Sequence, residues 1–133
     1  MNRVFVDTSA ILALLVLSDA AHENAVEAFR KLESQRSKLI TSSYVLVETY
    51  ALLTRRIGLE AVQVFREDFA PLLEAVWVDE VLHEKGLDRL LKSRSKRLSL
   101  VDAVSFEIMR AQGIDDAFSY DDDFVKAGFT QVA

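Results

Sequence analysis

A chain of 133 residues that is 50% apolar and 28% charged, with only four Gly and one Pro, is long enough for one packed domain and too apolar for disorder. The absence of Cys excludes a disulfide framework, Cys-based zinc sites and thiol catalysis, and it suits a cytoplasmic protein. With a net charge of −5, any bound nucleic acid must be held by a local basic patch and not by the overall field.

The first element is the run Val4-Phe5-Val6, closed by Asp7. A continuous apolar run reads as a parallel strand buried on both faces, and open α/β sheets bind ligands beyond the carboxyl ends of such strands. Asp7 is therefore expected at an active edge, with N-capping of the next helix as the simpler alternative. Residues 10–17 read as a core helix, far shorter than the roughly 20 residues that cross a bilayer. Arg3 ahead of this run imitates a signal peptide, but Asp7 interrupts it and no cleavage site follows, so no membrane segment is expected.

Residues 21–32 predict a helix with Ala25, Ala28, Phe29 and Leu32 inward, followed by a strand at 39–41. A helix over 44–56 stops near Gly58, and another over 59–69 runs to Pro71. A strand at 75–78 leads through Asp79, a helix cap, into a helix over 80–92. A helix over 101–112 is ended by Gly113, and strands at 117–120 and 131–132 complete the chain. This alternation predicts βαβ units: an α/β sandwich of five or six helices and about five mostly parallel strands, forming one domain over 1–133. His22 and His83 lie far apart in helical stretches, where packing or solvated roles are expected.

Three further acids stand out. Glu48 has Tyr44, Val45, Ala51 and Leu52 as helical neighbours, so its carboxylate lies in an apolar stripe and needs a partner, either Arg55 or Arg56 or a metal ion. Asp102 closes Ser99-Leu100-Val101-Asp102, a capping-box pattern, yet it shares a face with Leu98, Phe106 and Met109 and so points toward the sheet. Asp121 is expected to end the strand Phe118-Ser119-Tyr120 as Asp7 ends the first, with capping of the following turn as its alternative.

Val6-Asp7-Thr8-Ser9-Ala10, Tyr44-Val45-Leu46-Val47-Glu48-Thr49, Leu98-Ser99-Leu100-Val101-Asp102-Ala103 and Phe118-Ser119-Tyr120-Asp121, followed by Phe124 and Lys126-Ala127-Gly128-Phe129, resemble the ordered motifs of PIN-domain proteins, and among them the VapC-type toxin ribonucleases. The resemblance runs from Val4 to Phe129. It implies a three-layer α/β/α fold and a metal-dependent endoribonuclease, the toxin half of a toxin-antitoxin pair, with RNA as substrate, a small antitoxin as partner and a homodimer as assembly. It also implies that Asp7, Glu48, Asp102 and Asp121 form the catalytic, metal-binding quartet, with Thr8 or Ser9 and Ser119 as supporting hydroxyls. Asp121, Asp122 and Asp123 stand together, so the fourth ligand is open between Asp121 and Asp123, with Asp121 preferred because it is expected to end the strand directly.

Asp and Glu oxygens suit Mg²⁺ or Mn²⁺, which would activate water and neutralise phosphoryl charge; without His or Cys in the cluster, zinc fits poorly. The acids repel RNA, so phosphate contacts are expected from Lys92-Ser93-Arg94-Ser95-Lys96-Arg97, chiefly Lys96 and Arg97, and from Arg55 and Arg56, unless these are solvated helix ends. Two rivals remain. A receiver-like phosphotransfer domain would use Asp79 as acceptor but lacks the acidic pair beside the first strand, and a catalytically silent interaction module would not need all four acids.

Overall fold

The computed structural model describes residues 2–132. Five strands form one sheet: β1 (Arg3–Val6), β2 (Lys38–Ser42), β3 (Leu73–Val76), β4 (Asp116–Phe118) and β5 (Thr130–Gln131). Their order is β3-β2-β1-β4-β5 and every neighbouring pair is parallel. All carboxyl ends therefore share one edge. The crossovers are α1 (Thr8–Leu15), α2 (His22–Ser34), α3 (Ser43–Arg56), α4 (Leu59–Val64), α5 (Glu80–Ser93), α6 (Leu100–Gln112) and α7 (Asp122–Lys126). The result is the expected α/β/α sandwich with one helix more than the sequence patterns predict. The extra one is α7, five residues capped by Asp121 and too short to show a periodic apolar face.

Two strands end earlier than expected. β3 stops at Val76, opposite Ser42, because its partner β2 turns there into α3, and the Ser43 hydroxyl takes the amide of Val78 (2.9 Å) that a longer ladder would use. Trp77 is left outside the sheet and 76% exposed. β4 stops at Phe118 because the next two free amides turn to side chains, Tyr120 N–H to the Ser9 hydroxyl (2.9 Å) and Asp121 N–H to the Ser119 hydroxyl (3.0 Å). Asp121 thus caps α7 and does not end a strand. The pattern over 59–69 also divides, since after Val64 the backbone widens into a π turn (Phe65–Phe69), Ala70 N–H bonding the Phe65 carbonyl, and then a 3₁₀ turn through Pro71.

The core lies under β1 and β4, where Val4, Phe5, Ala117 and Phe118 are fully buried. Phe124 of α7 meets Phe106 of α6 edge-on at 4.9 Å and stacks on Phe5 at 6.5 Å, so the last short helix is pinned to both the sheet and α6. α5 packs against α6 through Gly86, whose missing side chain admits Val104; a Cβ there would come within 2.4 Å of Val104 Cγ2. Both histidines have bonding roles in packing, His22 Nδ1 with the Ala13 carbonyl (2.8 Å) and His83 Nδ1 with the Tyr44 hydroxyl (2.5 Å).

Candidate active site

Asp7 is the first residue beyond β1 and the N-cap of α1, so its two sequence readings hold at once. Its Oδ2 atom accepts from the Ser9 hydroxyl (2.7 Å), the Ser119 hydroxyl (3.1 Å) and the Ser9 amide (3.4 Å). Each serine hydroxyl has one hydrogen, and both are directed at Oδ2. The same two oxygens accept the amides of Tyr120 and Asp121, which ties the turn after β1 to the turn after β4. None of these bonds goes to Oδ1. Thr8, the other candidate hydroxyl, turns away: it bonds the Val45 carbonyl (3.4 Å) and accepts from Thr49 (3.2 Å), joining α1 to α3 without touching Asp7.

Asp102 stands in the first turn of α6, where the Ser99 hydroxyl accepts its amide (3.0 Å) in the expected cap. Carboxylate oxygens of Asp102, Asp121 and Asp123 lie within 4.8 Å of one another. The sequence left Asp121 and Asp123 as alternatives, and the fold brings both to the cluster. The signal that they act together is their spacing across the start of α7: the Asp121 carboxylate receives the Asp123 amide (2.9 Å), so the capped turn presents both acids on one side.

Four of these acids occupy helix N-termini, where the backbone dipoles favour negative charge: Asp7 and Asp121 as caps, Asp102 and Asp123 in first turns. Glu48 differs, standing half-buried in the middle of α3. Its charge nevertheless reaches Asp7. Neither Arg55 nor Arg56 pairs with it; the single ion pair among the described residues is Arg89–Glu107.

Burial dominates the electrostatics of the cluster, and repulsion between neighbouring acids adds to it. Burial pushes the Asp7 carboxyl up to about 6; the Ser9 and Ser119 hydrogen bonds oppose the shift and Glu48 adds to it. Asp102 is pushed up to about 7 by burial first, then by repulsion from Asp7 and Asp121, with Ser99 holding it back. Asp123 is also raised by burial and by Asp121, against the pull of Lys126 and Arg97. Arg97, at the end of the predicted basic segment, is near enough for its charge to lower Asp123, the weakest of the influences on that group. Arg55 and Arg56 instead occupy the last turn of α3, roughly 10 Å along the helix from Glu48.

The donor set is oxygen only, clustered, and without a neutralising protein cation within ion-pair distance among the described residues. That is the chemistry of a site for a hard divalent cation, and Asp102, Asp121 and Asp123 fit it, while Asp7 and Glu48 lie outside this close group and are linked to it through charge, Asp7 to Asp102 and Glu48 to Asp7.

Comparison with known proteins identifies the family and the fold. The PIN domain family model matches residues 4–130. The chain is 38% identical over 132 residues, 97% of each chain, to the 23S rRNA-specific endonuclease VapC20 of Mycobacterium tuberculosis. The crystal structure of that VapC20, described as a sarcin-ricin loop cleaving toxin, superposes with a TM-score of 0.82 at 35% identity over 96% of each chain. FitAcB from Neisseria gonorrhoeae shares the fold at 14% identity, with a TM-score of 0.70 over 98% of this chain and 96% of that one. DNA-bound VapBC from Salmonella typhimurium does so at 15%, with 0.69 over 98% and 97%. With its four parallel crossovers, its acid edge and a family match across nearly its whole length, the chain belongs to the PIN-domain family.

Proposed function

We propose that this protein is a metal-dependent endoribonuclease, the toxin of a toxin-antitoxin pair, built as one PIN-like domain over residues 1–133. The observation that carries the reading is the cluster of Asp102, Asp121 and Asp123 carboxylates within 4.8 Å of one another, with Asp7 coupled to Asp102 and both carboxyls raised first by burial and then by neighbouring acids. The likeness to VapC20 supports RNA as the substrate and 23S rRNA as its class.

In this reading Asp7, Asp102 and Asp121 hold Mg²⁺ or Mn²⁺, Asp123 shares the same cluster, and Glu48 approaches from α3. The cation, when bound, supplies charge neutralisation at the phosphoryl oxygens and activation of water. Ser9 and Ser119 fix Asp7 by loading Oδ2 and leaving Oδ1 for the ligand. Asp121, besides its carboxylate, sets the start of α7 and thereby the place of Asp123. Lys96 and Arg97 bind phosphate next to the cluster, with Arg55 and Arg56 as more distant contacts. The substrate phosphodiester lies across the edge, water adds to phosphorus, and the leaving ribose oxygen departs.

No helix among the described residues is long and apolar enough to cross a membrane. The protein acts in the cytoplasm as a homodimer neutralised by a small antitoxin. Leu17, Trp77 and Val81, each more than half exposed, give apolar surface for such partners. Nothing favours the phosphotransfer alternative: the Asp79 carboxylate receives the Leu82 amide (2.8 Å) as the cap of α5.

The test is cleavage of a 23S rRNA fragment in Mg²⁺ or Mn²⁺ by the parent protein, Asp7→Asn and Asp102→Asn. Each variant keeps size and capping ability, so a loss of at least about a hundredfold with retained folding is expected. Unchanged cleavage by both variants would refute the site, and growth arrest that a neighbouring small open reading frame does not relieve would remove the antitoxin.

A further inference from the structure

Two pairs fix how α5 lies on α6. Gly86 faces Val104, and Arg89 meets Glu107 at 2.5 Å; each pair is 18 residues apart in sequence. A constant offset means that the two helices run parallel. Both therefore start at the acid edge and descend together, and residues 94–99 climb back along them. By the same offset Lys85 is level with Ala103, next to Asp102, and Lys92 is about 10 Å lower at 1.5 Å per residue.

Between the helices lies a groove of about 600 Å³ lined by Lys85, Asp88, Arg89, Lys92, Ser93 and Glu107. Lys85, Arg89 and Lys92 recur at helical spacing on one face of α5. Arg89 is committed to Glu107, which leaves the two lysines, both exposed, as its available cations. The climbing connection adds Arg94, Lys96 and Arg97, all exposed. Six of the chain's 16 Lys and Arg residues thus fall within residues 85–97, against one acid, Asp88, on a chain whose net charge is −5.

We propose that this groove is a second RNA-binding site, a track in which Lys85 and Lys92 hold backbone phosphates of the RNA flanking the cleaved bond. It rests on the ribonuclease reading and adds where the rest of the substrate lies: along α5 and its return connection, on the α6 side of the acids and not beside Arg55 and Arg56 on α3. Contacts of this kind fix register and carry no sequence information. Every residue lining the groove is charged or polar, which suits a solvated phosphate chain better than the apolar face of a partner helix.

The test is the salt dependence of binding of a labelled 23S rRNA stem-loop by the full chain, followed by anisotropy between 50 and 200 mM salt. The parent, Lys85→Gln with Lys92→Gln, and Arg55→Gln with Arg56→Gln are compared, with circular dichroism and melting to check folding. The groove variant should bind about tenfold or more weakly at the higher salt, with a slope of log Kd against log salt shallower by about 1.4 to 1.8, two contacts at 0.7 to 0.9 each. The α3 variant should lose less. A folded groove variant with an unchanged slope overturns the track, while the parent's binding and cleavage would still uphold the ribonuclease. Unchanged RNA binding with loss of a co-expressed protein partner would overturn it in favour of a protein-docking face. A parent that neither binds nor cleaves the stem-loop would overturn both readings together.

Discussion

Along β1 the chain passes in one residue from Val6, in an apolar core, to Asp7, an acid that is 4% exposed. Along β4 it passes from Phe118, fully buried, through Ser119 and Tyr120 to the Asp121 cap. The same strands therefore serve two regions with opposite effects on stability. Burying Phe5 or Phe118 lowers the free energy of the folded state, whereas burying Asp7 and Asp102 raises it unless they take up a proton or a cation. The core holds the acid edge in place. In the metal-free protein the edge works against the fold, and this opposition is the physical trace of function.

Of the two regions, the core should give the larger response to substitution. Phe5→Ala removes a ring that stacks on Phe124, and should destabilise by about 3–5 kcal/mol, seen as a lower midpoint in urea. Because Phe124 anchors α7, the same change should loosen Asp121 and Asp123. The acid side should move the other way: at pH 8 and without metal, Asp7→Asn should stabilise by up to about 3 kcal/mol, from a carboxyl raised from 3.8 to about 6. A destabilised Asn variant would mean that the Asp7 charge supports the fold, contrary to the account.

The pH dependence follows from the same shifts. With Asp7 at about 6 and Asp102 at about 7, both above the ordinary 3.8, the folded state binds more protons than the unfolded state between those values. Stability of the metal-free parent from these two groups should therefore fall as pH rises from about 4 through about 7, and level off above. Asp7→Asn and Asp102→Asn should each flatten that slope. A smaller effect probes the packing beside the proposed track: Gly86→Ala, by forcing a Cβ against Val104, should cost about 1–3 kcal/mol and disturb the parallel seat of α5 on α6.

Much of this was legible in the sequence. The Val4-Phe5-Val6-Asp7 junction and the Ser99 to Asp102 cap are local patterns whose physics does not wait on distant contacts, and both stand where expected. The alternation of strands and helices gave a parallel sheet, and all five strands are parallel. What was not legible depends on pairing. The end of β3 is set by Ser43 capturing Val78 N–H, and the end of β4 by hydroxyls of Ser9 and Ser119, 110 residues apart. Thr8 and Ser9 look equivalent as neighbours, yet α1 turns one toward α3 and the other toward Asp7. Asp123 belongs to the cluster because Asp121 caps a helix too short to announce itself, and the parallel run of α5 and α6 depends on Gly86 meeting Val104.

The acid edge, in this proposal, is a cation site whose burial has raised its carboxyls. That is tested most directly by calorimetric titration of the metal-free protein with Mn²⁺ at pH 6.5, in two buffers of different ionisation enthalpy. Binding should release about one proton per site, because Asp7 and Asp102 must surrender protons to hold the ion, and Asp102→Asn should weaken binding and reduce the release. Failure to bind Mn²⁺, or binding with no proton release that Asp102→Asn leaves unchanged, would contradict it.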